Sequence, residues 1–417
     1  MSDPRTVEVH VDLERLSGPQ LMGILHNQES GRGELFSFEY AREWLQHSEA
    51  FAFDPDLSLA QGRQYPSADR VNFGIFTDSS PDRWGRLLLQ RRENMNARKE
   101  KRRPRTLREW DFLLGVHDET RLGALRFRFE GGAFLDKDTH MAAPPLTSLR
   151  ALEAASLAFE QHLADEENPA YERWLTQLMA PGSSLGGARP KASVRDESGN
   201  LCIAKFPSRQ DTRDVGAWEL VANRLAHKAG IQVPAARPLR FQDSSNTTFL
   251  VRRFDRTARG GRLAFVSAMT LTQHRDGDGT ASYLELIDLL QSRGSNTSAD
   301  CEQLFRRVLF NILIHNTDDH LRNHGFFIEQ QGLRLSPAFD LNPSVESRYL
   351  TLAIDEVETA CDADIAMQAH ESYGLKREAA ERALADVTAA IAQWRTEARK
   401  LNIPKAEQEL MAAAFEA

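Results

Sequence analysis

The feature that most limits how this chain can fold is a change in the period of its hydrophobic residues. Over the first 60 residues apolar and polar side chains alternate in short runs, VEVHVDL, LMGILH, LFSFEY and FAFDP, which is the two-residue period of half-buried strands. From about residue 282 onward helical spacing dominates, except in 316–344, where two short strands flank Gln331-Gly332. A β-rich opening segment and a largely helical end predict an α+β chain. At 417 residues it is also too long for one hydrophobic core, so two or three subdomains are expected.

Between these ends the signals are mixed. Ser80-Pro81 predicts a cap with proline at the first helical position before DRWGRLLLQRR, and Thr106 with Glu109 predicts a capping box ahead of Trp110. The stretch 131–147, with Gly131, Gly132, Pro144 and Pro145, is the best boundary. Helices are predicted over 148–163 and 169–180, followed by the loop PGSSLGGARP. A hairpin of KASVRD and LCIAKF, a helix over 213–229 ending at Gly230, and strands over 235–241 and 247–253 come next.

Composition narrows the class. Apolar residues make up 41% and charged residues 27%, as in soluble globular proteins, and no apolar run reaches the ~18 residues of a membrane span. The opening MSDPRTVEVHVDL does not read as a signal peptide, and the three cysteines form no C-x-x-C pair, so a cytoplasmic location is expected. A net charge of -8 argues against a surface built for nucleic acid. The run RKEKRRPR at 98–105 is the local exception, and it reads first as a solvated basic linker between two helices.

The chemistry concentrates in NILIHNTDDHLRNHGFF and LSPAFDL. Asp318 precedes Asn323 by five residues, and Asp340 follows in Phe339-Asp340-Leu341. Protein kinases space a catalytic Asp and a metal-binding Asn in this way, with a second metal-binding Asp downstream. Mg2+ prefers oxygen ligands, which suits Asn323 and Asp340, while the Asp318 carboxylate could accept a hydroxyl proton. Taken singly, Asp318, Asp319 and Asn323 also suit a capped turn. Lys205 shares a strand face with Leu201 and Ile203, and a phosphate-pairing lysine held by Glu219 of the next helix would explain that placement. The loop Ser183-Ser184-Leu185-Gly186-Gly187-Ala188 offers backbone N–H groups to phosphates. It fails the Walker pattern, because Ala188 stands where lysine is needed. A zinc hydrolase built on His315, His320 and His324 is the weaker alternative, since H-x4-H-x3-H matches no common zinc spacing.

Six ordered blocks, TDSSPDRWGRLLLQRR, SSLGGARPKASV, IAKFPS, LVRRFDR, NILIHNTDDHLRNHGFF and LSPAFDLNPS, make the chain resemble the HipA family, the serine/threonine kinase toxins of bacterial HipBA toxin–antitoxin systems. The resemblance implies a two-lobed kinase-like fold: an extra N-terminal β-rich subdomain over 1–140, a kinase N-lobe over 141–255 and a helical C-lobe over 256–417. It implies Asp318 as catalytic base, Asn323 and Asp340 as Mg2+ ligands, and Lys205 as ATP phosphate contact. Val251 to Phe254, including Arg252 and Arg253, would be the hinge that meets adenine, with Asp255 beside the ribose. Ser184, or the adjacent Ser183, would be autophosphorylated, silencing the kinase. Implied partners are a helix-turn-helix, HipB-like antitoxin, through which alone DNA would be contacted, and a protein substrate such as an aminoacyl-tRNA synthetase. Departures are small: Phe339 replaces a frequent Tyr, Arg322 a common Lys, and Arg252 stands where an acidic residue can occur. The competing expectation is a catalytically inactive kinase-like scaffold that binds the antitoxin.

Overall fold

The computed structural model describes residues 5–30, 33–67, 70–135, 143–163, 168–179, 187–241, 244 and 246–415. The chain forms two compact units, residues 1–209 with 255–266, and residues 210–254 with 267–417. The segment 141–255, expected as one subdomain, is therefore shared between the two units.

The first unit opens with β1 (Arg5–Val11), β2 (Gln20–Ser30), β3 (Gly33–Tyr40) and the short β4 (Arg63–Gln64). With β5 (Leu125–Arg128) they make an antiparallel sheet of order β4-β3-β2-β1-β5. Alternation along β1 buries Val7 and Val9, and a register shift after Val9 leaves His10 and Val11 both inside. The run FAFDP is not a strand. Asp54 instead accepts the N–H groups of Asp56 and Ile75, both at 2.9 Å, and burial pushes its carboxyl up to about 6.

Helices α1 (Arg42–Leu45), α2 (Gly74–Asp78), α3 (Arg83–Lys99), α4 (Glu109–Leu114), α5 (Leu149–Gln161) and α6 (Tyr171–Met179) complete this part. Two of the predicted caps are corrected. The N-cap of α3 is Asp82, whose carboxylate accepts from Gly85 N at 2.8 Å, because a carboxylate meets the open N–H groups of a first turn better than Ser80 two residues earlier. At α4 the Asp111 side chain accepts from Arg108 N at 3.0 Å, while Glu109 is taken by a forked pair with Arg86 at 2.6 and 2.8 Å. Trp84, Leu88 and Leu89 of α3 pack with Phe159 of α5 and Leu175 of α6. The basic run begins inside the last turn of α3, with Arg98 and Lys99, and only from Glu100 onward leaves the helix; Arg102 pairs with Glu93 and Glu100, and Lys99 with Glu172. Strands β6 (Lys191–Arg195) and β7 (Leu201–Lys205) form the expected hairpin.

The second unit begins with α7 (Val215–Lys228), capped by Asp214, which accepts from Ala217 N at 3.1 Å. It ends at Gly230, whose φ of 74° suits glycine. The hairpin β8 (Ala236–Leu239) and β9 (Thr248–Arg252) follows, and β10 (Phe265–Ser267) lies where the chain passes between units. Helices α8 (Ala268–Leu271), α9 (Tyr283–Arg293) and α10 (Thr297–Leu313) lead to the hairpin β11 (Gly325–Glu329) and β12 (Gly332–Leu335). Helices α11 (Ala363–Gln368), α12 (Arg377–Ile391), α13 (Trp394–Lys400) and α14 (Lys405–Met411) close the chain. Leu304, Phe305, Val308, Leu309, Phe310 and Ile312 of α10 are all fully buried, so this helix is the central rod of the unit. The C-terminal helices hold α7: Glu407 accepts from Asp214 N at 3.0 Å and from the Trp218 indole at 2.7 Å, and Glu397 accepts from Lys228 at 2.7 Å. Among the described residues no helix is long and apolar enough to cross a membrane.

Candidate active site

The buried face of α10 fixes where the chain emerges at Leu313. His315 then takes a left-handed φ of 48°, and its Nε2 accepts from Arg348 Nη1 at 3.0 Å. Burial and the Arg348 charge hold its imidazole below the ordinary range. This turn carries Asp318 to the surface, where its side chain is exposed, while Asn323 is buried in the following 3-10 turn. Asn323 Nδ2 donates to the Asp318 carbonyl at 3.2 Å. With its nitrogen engaged in this way, the amide presents its oxygen as the atom able to bind a cation.

The second loop leaves β12. Asp340 holds a φ of 60°, a left-handed conformation that aspartate tolerates better than most residues and that costs ~1 kcal/mol or more. Asn342 Nδ2 donates to Asp340 Oδ1 at 3.2 Å, and Asn342 N donates to Asn316 Oδ1 at 3.3 Å. The two loops are thus joined by hydrogen bonds. Phe254, just after β9, packs on Phe339 with ring centroids 5.1 Å apart and on Phe327 at 6.0 Å. The segment Val251 to Phe254 therefore touches the residue that precedes Asp340.

Asp318, Asn323, Asp340, Glu219 and the segment Val251 to Phe254 all belong to the second unit, whereas Lys205, Gly187 and Asp255 belong to the first. Glu219 is buried on α7, Arg253 is buried, and Arg252 donates its backbone N–H to Ala235 O at 2.9 Å. Lys205 is half-buried at the end of β7, directly opposite Lys191 in the hairpin register. Asp255 is 1% exposed, and its carboxylate accepts from Arg256 at 2.5 Å and from Gly123 N at 2.9 Å. Ser183, Ser184, Leu185 and Gly186 lie outside the described residues. Gly187 has a φ of 93°.

The oxygens of Asn323 and Asp340, offered from two loops, fit Mg2+, which keeps several waters and takes phosphate oxygens for the rest. A zinc centre gains no support. Among the described residues no group of three or more His, Cys, Asp or Glu side chains is arranged to hold a metal, and His315 and His324 have their Nε2 atoms engaged by Arg348 and Asp319. Sequence reasoning missed Lys191, Asn311 and Asn316. Asn311, a polar residue inside the apolar run VLFNILI, was the readable signal.

The sequence pattern described as the HipA-like C-terminal domain matches residues 183–394. Toxin YjjJ of Escherichia coli is 27% identical over 207 residues, 47% of this chain and 46% of its own length. A Sinorhizobium fredii protein, Y4mE, whose name contains the word kinase, is 26% identical over 170 residues, 34% of each chain. The matched regions thus span from a third to about half the length of these relatives. Among solved structures, HipA of Shewanella oneidensis MR-1, in complex with HipB and operator DNA, superposes with a TM-score of 0.66 at 18% identity, over 98% of this chain and 95% of that one. The α+β fold of this chain is that of HipA.

Proposed function

The chain belongs to the family of the HipA-like C-terminal domain, and from that premise we propose that it is an ATP- and Mg2+-dependent protein serine/threonine kinase. In this proposal it is the growth-arresting toxin of a toxin–antitoxin pair. The observation that carries the assignment is the Asn323 amide bonded to the Asp318 carbonyl at 3.2 Å, beside an exposed Asp318 carboxylate. The left-handed Asp340, a conformation that strained sites retain for function, favours this reading over an inactive scaffold.

Asp318 takes the proton of a serine or threonine hydroxyl as its oxygen bonds to the γ-phosphorus of ATP and ADP leaves. Asn323 Oδ1 and the Asp340 carboxylate would hold Mg2+, which when bound supplies charge neutralisation at the phosphate oxygens. Lys205 and the backbone of Leu185, Gly186 and Gly187 are proposed phosphate contacts, with Glu219 a further ATP-site residue, by motif position. The backbone of Val251 to Phe254 would meet adenine. Asp255 is kept beside the ribose by motif position alone, since its carboxylate already serves Arg256 and Gly123.

Phosphate on Ser184, or on Ser183, would add nearly two negative charges to a phosphate-binding loop and repel ATP, which gives autoinhibition a physical cause. The similarity to a HipA solved with HipB supports a helix-turn-helix antitoxin as partner. A translation component such as an aminoacyl-tRNA synthetase is the proposed substrate. Phosphatase-treated protein, incubated with γ-labelled ATP, Mg2+ and cytosolic proteins, should label serine or threonine on itself or on another protein. No transfer to any protein would contradict the kinase assignment.

A further inference from the structure

Asp319 and His324 each follow a proposed site residue by one position, Asp318 and Asn323 respectively. His324 Nε2 donates to Asp319 Oδ2 at 2.7 Å, so one bond closes the segment that separates the proposed base from the proposed metal ligand. The same carboxylate oxygen accepts from Tyr283 Oη at 2.5 Å and Asn311 Nδ2 at 2.8 Å. All four residues are at most 3% exposed, and the Tyr283 and His324 rings meet edge-on at 5.6 Å. A carboxylate with three donors at that depth is fixed in place.

A second branch reaches the other loop. Asn311 Oδ1 accepts from Asn316 Nδ2 at 3.1 Å, Asn316 Oδ1 accepts from Asn342 N at 3.3 Å, and Asn342 Nδ2 donates to Asp340 Oδ1 at 3.2 Å. One chain of polar groups therefore runs from His324 to Asp340. Apolar residues would fill this space more cheaply, because buried polar groups favour folding little even when fully paired. The network's ends fall beside Asp318 and Asn323 and on Asp340, where small displacements would matter most.

We propose that Asp319, through His324, Asn311, Asn316 and Asn342, is a positioning residue that sets the relative places of Asn323 and Asp340 for holding Mg2+, beside the base Asp318; this rests on the kinase assignment above. Outer partners of metal ligands typically change metal affinity by about 10- to 100-fold when removed. His324→Leu removes the donor to Asp319, whereas His324→Gln keeps an N–H in reach.

The test is calorimetric binding of Mn2+ to the full chain in the presence of a non-hydrolysable ATP analogue, with thermal melting and phosphotransfer rates alongside. His324→Leu should weaken Mn2+ binding by about tenfold or more and raise the Mg2+ needed for half-maximal rate in parallel, and His324→Gln should recover most of the loss. A folded His324→Leu protein with wild-type Mn2+ affinity would overturn the proposal. Should that variant fail to fold, Asn342→Ala, at the less buried end of the network, decides by the same criterion. Wild-type protein that binds neither Mn2+ nor the analogue would overturn the kinase assignment itself, whereas normal wild-type binding with insensitive variants overturns the network alone.

Discussion

Lys191 and Asp82 form an ion pair of 2.7 Å, with side chains only 2% and 4% exposed, across 109 residues of sequence. Asp82 is also the N-cap of α3, and Lys191 Nζ donates to Gly187 O at 3.3 Å. One buried pair thus joins the start of a helix, the first strand of the β6–β7 hairpin and a glycine at the end of the glycine-rich loop. Burial pushes the Asp82 carboxyl upward, and the Lys191 charge pulls it back.

Breaking this pair from one side should be far worse than replacing it. Asp82→Ala leaves a buried ammonium without its carboxylate and removes a helix cap, so a loss of about 3–5 kcal/mol is expected in denaturant unfolding. The double variant Asp82→Ala with Lys191→Met should recover much of that loss. Equal instability of the single and double variants would show that the pair is not what matters.

Glu397 should give the protein acid-sensitive stability. Burial raises its carboxyl, but hydrogen bonds from Lys228 and Lys400 more than offset this and hold it at about 2, below its ordinary 4.5. The unfolded chain therefore binds the proton more tightly. The stabilisation is full above pH 4.5 and is lost as pH falls toward 2. Lys400 is largely exposed, so most of the effect, on the order of 2 kcal/mol, belongs to Lys228. Glu397→Gln should lower stability at pH 7 and flatten the pH dependence of unfolding in that window. An unchanged slope there would exclude Glu397 as its source.

Gly216 should not tolerate a side chain. A Cβ at this position would lie 2.1 Å from the Thr247 carbonyl oxygen, and Thr247 cannot retreat freely because its N–H and hydroxyl bond to Asp214 at 2.8 and 2.7 Å. Gly216→Ala is expected to cost about 2 kcal/mol by overpacking, despite alanine's better helix propensity. Because Glu219 follows within the same helical turn, the variant should also raise the KM for ATP. A melting temperature equal to wild type would show that α7 can shift without loss.

Much of this organisation was legible locally. The alternating runs became β1, β2 and β3, and the helix ending at Gly230 became α7, because period and cap chemistry act over a few residues. FAFDP misled because its alternation came from a buried Asp54 turn, not from pairing with a neighbouring strand. The Ser80 and Thr106 caps failed for a related reason: Asp82 and Asp111 lay closer to the open N–H groups, and Glu109 was drawn to Arg86. Asp318, Asn323 and Asp340 could be picked out by spacing and residue type. Lys191 could not, since its meaning depends on Asp82, and no local period reports a partner so far along the chain. The division into two units was hidden likewise, because the chain leaves the first unit at Arg209 and re-enters it at Asp255.

Asp318→Asn tests most directly whether Asp318 serves phosphate transfer. This exposed residue can be changed with little effect on folding, so melting and binding of an ATP analogue should match wild type. Transfer of labelled phosphate from ATP should fall by about 10²- to 10⁴-fold, the usual contribution of a general base. A folded Asp318→Asn protein that transfers phosphate at the wild-type rate would contradict the account.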